Sequence, residues 1–195
     1  MASRRSYNMT ARADAARETG ERIIDAAEAL FLEHSFAELS LGLIAERAQV
    51  TVQTLIRRYE SKEKLVAVVA ERVMARVLAQ RSQALPGDIV GAVDNLLEHY
   101  ESVGQLVLHM LAQEHVPTLA AIAAEGRKLH RQWVEHTLGP LVTTAERRAR
   151  RARLDELAAV TDITVWKLFR RDWRRSRAET AQSLRRMLER LVEPR

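Results

Sequence analysis

Apolar side chains recur along this chain at three- and four-residue intervals, the period of a helix with one dry face. Ile23, Ala27, Leu30 and Phe31 form the first such stripe, and Leu41, Ile44, Ala45 and Ala48 form the second. No run shows convincingly the two-residue alternation of a half-buried strand. The stripes are interrupted at Leu85-Pro86-Gly87-Asp88, Val116-Pro117 and Gly139-Pro140, where proline removes a backbone donor and glycine loosens the chain. The spacing predicts helices over about 19–34, 41–48, 52–58, 62–84, 88–113, 117–138, 147–171 and 177–192, with a further break near Gly104. Ser176 followed by Glu179 has the spacing of a capping box at the last helix start.

The stretch 40–59 carries the most specific signal. A helix of about two turns ends at Ala48, a short turn passes through Gln49 and Val50, and Thr51 is placed to cap a second short helix. Val50 and Leu55 have hydrophobic-staple spacing, and Leu55 and Tyr59 continue the buried face. Gln53, Thr54, Arg57 and Arg58 are then left mostly outward. Glutamine can pair with adenine through two hydrogen bonds, a threonine methyl suits thymine, and arginine takes phosphate or guanine. Ser61-Lys62-Glu63-Lys64 opens the next helix, where free amides and two lysines favour a backbone phosphate.

These residues resemble the TetR family of one-component transcriptional regulators. The resemblance covers about residues 20–66: Ile24, Ala27, Leu30, Phe31 and Phe36, then Ile44-Ala45, Ala48-Gln49-Val50-Thr51, Thr54-Leu55, Tyr59, Lys62 and Leu65. It departs from the family at Ser35, Gln49 and Gln53, where glycine or another small residue is usual, and at Ile56, where tyrosine is usual. The resemblance implies DNA contacts at Ser40, Gly42, Val52, Gln53, Thr54, Ile56 and Lys62; Thr51, Arg57, Arg58 and Tyr59 complete the candidate set. Gln53 is the first choice for base reading and Lys62 for phosphate.

Composition narrows the alternatives. The 195 residues carry 31 basic and 26 acidic side chains, with 47% hydrophobic residues, which fits a folded chain. Absence of cysteine excludes disulfides, thiolate metal sites and cysteine nucleophiles. The six histidines form no i, i+4 pair, and phosphate loops and nucleophile elbows are missing, so neither a cofactor, a metal nor an enzyme activity is expected. No apolar run approaches the roughly 20 residues of a membrane span, and no secretory leader opens the chain, so the expected location is cytoplasmic. Residues 1–18 read as a basic arm with Arg4, Arg5, Arg12 and Arg17, either a solubilising tail or a DNA contact. The dense basic run 147–153 reads as a solvated face.

The expected architecture is all-α: the arm, a three-helix helix-turn-helix domain over 19–65, and a larger helical domain over 66–195 for effector binding and dimerisation. Partners implied by the resemblance are a double-stranded DNA operator, a second copy forming a homodimer, and a largely apolar small-molecule effector. Tyr100, His109, Met110, His130, Trp133 and Trp166 combine apolar bodies with polar or polarisable atoms and are the pocket candidates. Leu157, Val160, Thr161, Leu168, Leu184, Leu188 and Leu191 lie on the apolar stripes of the last two predicted helices and are the dimer candidates. The function implied is a repressor released from its operator by an effector. An all-helical binding or interaction protein that no longer reads DNA is the alternative.

Overall fold

The computed structural model describes residues 3–144 and 146–193, with side chains from residue 13 onward. The described residues contain helices and no strand. They divide into two compact units, 1–73 and 74–195, and the division falls inside one continuous helix.

The N-terminal unit holds α1 (Ser3–Glu33), α2 (Leu41–Arg47), α3 (Val52–Tyr59) and the first part of α4 (Lys62–Arg81). Helix α1 begins sixteen residues before the predicted start at 19. Residues 11–18, half of them alanine, with two arginines and no proline or glycine, favour the extension, and Arg17 pairs with Glu21 one turn on. Part of the expected arm is thus helix; the side chains of Arg4, Arg5 and Arg12 lie outside the described residues. Ile23, Ala27, Leu30 and Phe31 of the first stripe are buried, as are Ile44, Ala45, Leu55, Tyr59 and Leu65. Arg47 forks onto both Glu33 oxygens at 3.0 and 2.7 Å, and Arg72 reaches Asp25 and Glu28 at 2.5 and 2.6 Å, fastening α2 and α4 to α1.

The second unit continues through α5 (Ile89–Leu111), α6 (Pro117–Thr137), a 3-10 turn (Gly139–Leu141), α7 (Arg147–Val160), α8 (Ile163–Lys167), a π-helical turn (Leu168–Asp172) and α9 (Arg177–Val192). Helix α9 packs on α5 and α7 around a core that includes Leu96, Leu97, Trp133, Leu138, Leu157, Trp166, Leu184 and Leu188. The capping box forms as expected, with the Glu179 amide donating to Ser176 Oγ and the Ser176 amide donating to Glu179 Oε2.

Two further predicted boundaries change. Helix α5 runs unbroken through Gly104, whose role is close approach: a Cβ there would stand 2.8 Å from the Trp166 ring. The predicted helix 147–171 stops at Val160 because Asp162 caps a new start, accepting from the Thr164 amide at 2.8 Å. The dimer candidates change as well. Leu157, Thr161, Leu184 and Leu188 are buried inside the chain's own core and have no area left for a partner. Helix α9 spends its stripe on α5 and α7, and α7 spends its own on α9 and α6, so of the seven only Val160, Leu168 and Leu191 remain at least partly accessible. In the basic run, Arg147, Arg148 and Arg151 are exposed, while Arg150 and Arg153 pair with Glu135 and Glu156. No helix among the described residues is long and apolar enough to cross a membrane.

The glycines supply a test with opposite signs. Gly126 lies inside α6 with open space where a Cβ would go, so Gly126→Ala should stabilise by roughly 0.5–1 kcal/mol. Gly104→Ala gains the same propensity but drives a methyl into the buried Trp166 ring, for a net loss of roughly 1–3 kcal/mol. Urea midpoints should move up for the first and down for the second.

Candidate nucleic-acid interface and a buried polar cluster

A helix of eight residues is too short to persist alone in water, so α3 depends on what holds it. Leu55 is fully buried and Tyr59 nearly so, one turn apart on the inner side. At its start Thr51 Oγ1 accepts from the Thr54 amide at 3.2 Å and lies 2.9 Å from the Thr54 hydroxyl. The preceding α2 is capped by Ser40, which accepts from the Leu43 amide, and Gly42 is exposed beside it.

The turn between them is a Schellman motif. The Val50 amide donates to the Ala45 carbonyl and the Gln49 amide to the Glu46 carbonyl, closing the end of α2 with Gln49 in the left-handed region at φ 55°. Glycine's prevalence at such positions follows from that backbone. Gln49 meets the same geometry at some cost, which explains how the chain departs from the usual residue without losing the turn.

Gln53 and Arg57, one turn apart, are exposed on the side of α3 away from Leu55 and Tyr59. Val52 and Ile56 flank them and stay 40% and 42% exposed, so the apolar part of this outer surface lies open beside the two polar side chains. The outer surface therefore combines an amide, a cation and two apolar groups, with Thr54 half-buried at its edge.

Three of the candidates are held internally. Arg58 Nη1 donates to the Ala16 carbonyl of α1 at 2.8 Å and the guanidinium lies over Gly20. Tyr59 belongs to the core. Lys62 Nζ donates to the Phe36 carbonyl at 2.7 Å and stands 4.3 Å from the Phe36 ring centre, so the first choice for phosphate already has a structural task.

In the second unit, four of the six pocket candidates fall in one group. Tyr100 and Trp166 are 5.8 Å apart between ring centres, His130 and Trp133 6.1 Å. His109 and Met110 sit half-buried nine and ten residues further along α5 than Tyr100. The sequence reading missed the residue that joins the two pairs. Arg81, 6% exposed, stands 5.6 Å from the Tyr100 ring and 4.8 Å from the Trp133 ring, and its Nη1 is 3.0 Å from His130 Nδ1. An arginine can only donate, so Nδ1 accepts, and the His130 proton sits on Nε2, 3.2 Å from the Ala158 carbonyl and from Thr161 Oγ1. Tyr100 donates to the Thr161 carbonyl at 2.9 Å. Burial, then the nearby Arg81 charge, push His130 down to about 4 and His99 to about 3, and burial pushes the Tyr100 hydroxyl up to about 12. These three groups are therefore neutral at physiological pH.

Residues 23–69, spanning this helix-turn-helix, match the family model described as bacterial regulatory proteins, tetR family. The N-terminal domain is a TetR-family domain. Solved structures carry the likeness across most of the chain. A transcriptional regulator (TerR/AcrR family) from Aquifex aeolicus VF5 is 16% identical, with 89% of this chain and 99% of that chain covered and a TM-score of 0.69. A transcriptional regulator from Rhodococcus sp. Rha1 is 16% identical over 89% of this chain and 95% of its own, with a TM-score of 0.70. A tetR-family regulator from Streptomyces coelicolor is 15% identical over 90% and 80%, with a TM-score of 0.70. At such identities the likeness establishes the fold. No curated protein matches the sequence.

The left-handed turn of this TetR-family domain gives a stability test. Gln49→Gly should raise stability by about 0.5–1 kcal/mol, the relief of the left-handed penalty less glycine's entropy cost. Gln49→Val should lower it by more than about 1 kcal/mol, because a β-branched side chain tolerates that backbone poorly. Equal denaturation midpoints for the two variants would contradict the strain.

Proposed function

We propose that this protein is a ligand-responsive transcriptional repressor that binds a palindromic DNA operator as a homodimer. The observation that carries the reading is the outer surface of α3: Gln53 and Arg57 exposed, with Val52 and Ile56 uncovered at 40% and 42%, on a helix whose other side is locked by Leu55 and Tyr59. A rigid short helix offering an amide, a cation and apolar contacts suits the major groove, where adenine, phosphate and thymine methyl present their complements. Ile56 offers no hydroxyl to a phosphate and meets a base methyl or sugar instead. Because Arg58 and Lys62 are engaged within the domain, Arg57 is the phosphate contact we assign first.

A two-fold dimer would place two α3 helices about 34–36 Å apart, one turn of duplex. Val160, Leu168 and Leu191, together with Trp173 at 55% exposure, supply apolar area for the partner. An effector in the second unit would release the operator by binding better to a state in which that separation no longer fits.

Binding sites recovered by the full chain from a random duplex pool at near-physiological salt test the reading. The expected result is a palindrome. Gln53→Ala should then relax preference at one position of each half-site, costing roughly 1–3 kcal/mol. Arg57→Ala should weaken binding to all sequences alike and reduce the salt slope by about one per protomer. Recovery of sequence-independent, salt-sensitive binding alone would overturn operator reading and favour an all-helical binding protein.

A further inference from the structure

Between residues 79 and 126 the chain has six acidic side chains and a single basic one, Arg81. That one cation is buried, and none of the acids reaches it: among the described residues Arg81 makes no ion pair, and its near polar contacts are His130 and the Tyr100 hydroxyl. Burial works against its charge and the Tyr100 hydroxyl supports it, but an arginine remains cationic in a protein. Buried charges ordinarily have a counter-ion, because an uncompensated one is costly.

The donor count points the same way. Arg81 Nε and Trp133 Nε1 are both buried and both lack a hydrogen-bond partner. Both are donors only, and the guanidinium carbon lies 4.8 Å from the Trp133 ring centre. Around them stand the rings of Tyr100 and Trp133 and two neutral imidazoles, His99 and His130. The cluster holds one full positive charge and spare donors, within an aromatic wall.

We propose that Arg81 is the anchor of the effector site and that the effector is a small organic carboxylate with an apolar or aromatic body. The carboxylate takes the place of His130 Nδ1 as acceptor for the guanidinium, satisfies the spare donor at Arg81 Nε, and supplies the counter-charge that a neutral imidazole cannot. The apolar body lies against Tyr100 and Trp133. This deepens the ligand-responsive part of the proposed function and revises the chemistry of a largely apolar effector. Arg81 is the last residue of α4, and Lys62, its first, holds the Phe36 carbonyl in the DNA-reading unit, so a ligand drawn to Arg81 acts on the helix that enters that unit.

The test uses the full chain without DNA, so that failure of operator reading leaves it untouched. Thermal shift and tryptophan fluorescence are recorded with benzoate, phenylacetate, indole-3-acetate and decanoate, each beside its primary amide. At least one carboxylate should raise the melting temperature in proportion to the logarithm of its concentration and bind at least tenfold tighter than its amide. Arg81→Met, which keeps the apolar stem, should abolish that preference while its own urea midpoint stays at or above that of the parent, as expected when an unpaired buried charge is removed. Should Arg81→Met fold poorly, Trp133→Phe, which removes one spare donor and keeps an aromatic face, should weaken the carboxylate several-fold and change the amide far less. No carboxylate binding across the panel, or equal binding of acid and amide, would overturn the proposal. A carboxylate that binds but leaves operator affinity unchanged would keep the site and overturn its regulatory role.

Discussion

Leu55 holds the outer surface of α3 in place. Helix α3 is two turns long and has little stability of its own; its conformation is owed to the burial of Leu55 and Tyr59 and to the Thr51 cap. The Schellman closure at Gln49 and Val50 fixes where α2 ends and α3 begins. With the inner side committed, the outer side is decided by exclusion, and Gln53, Arg57, Val52 and Ile56 are left outside. Internal anchoring also decides which polar residues are unavailable: Arg58 and Lys62 bind carbonyls of α1 and of the segment after it.

The two units share helix α4, and each end of it carries a cation with a different task. Lys62 has an acceptor at 2.7 Å and an aromatic face, a satisfied arrangement that tethers the helix start. Arg81 has a neutral imidazole, two rings and a donor to spare. One arrangement is complete and reads as structure; the other lacks an anion and reads as a place for one. That contrast is why the cation at the far end of α4, rather than the apolar residues beside it, carries the proposal about the effector.

Much of the fold was legible because it follows from local rules. The 3.6-residue stripe, the caps at Thr51 and Ser176 and the proline-marked breaks are all set by near neighbours in sequence, and the helix-turn-helix falls where they place it. The early start of α1 and the Asp162 cap rest on local signals left unread, whereas the other failures come from tertiary packing. Gly104 looks like a break but is space for Trp166, which is sixty-two residues away. Leu157, Leu184 and Leu188 look like free stripes, and only the packing of α9 against both α5 and α7 shows them to be used already. In the candidate DNA site the exposure of Gln53 and Arg57 was readable from helix phase, that of Val52 and Ile56 was not, and the capture of Arg58 by α1 depends on a contact forty-two residues distant. Arg81 did leave a trace, as the lone cation in an acidic stretch, but its burial and missing counter-ion are properties of the folded chain.

The central claim is that α3 of each protomer enters the major groove. The chain contains no cysteine, so Gln53→Cys creates a single attachment point for an iron chelate that cuts nearby DNA. On a duplex recovered by the parent protein, the account predicts two cleavage centres about one helical turn apart, related by the two-fold axis of the site. A single centre, or cleavage spread evenly along the duplex, would contradict it.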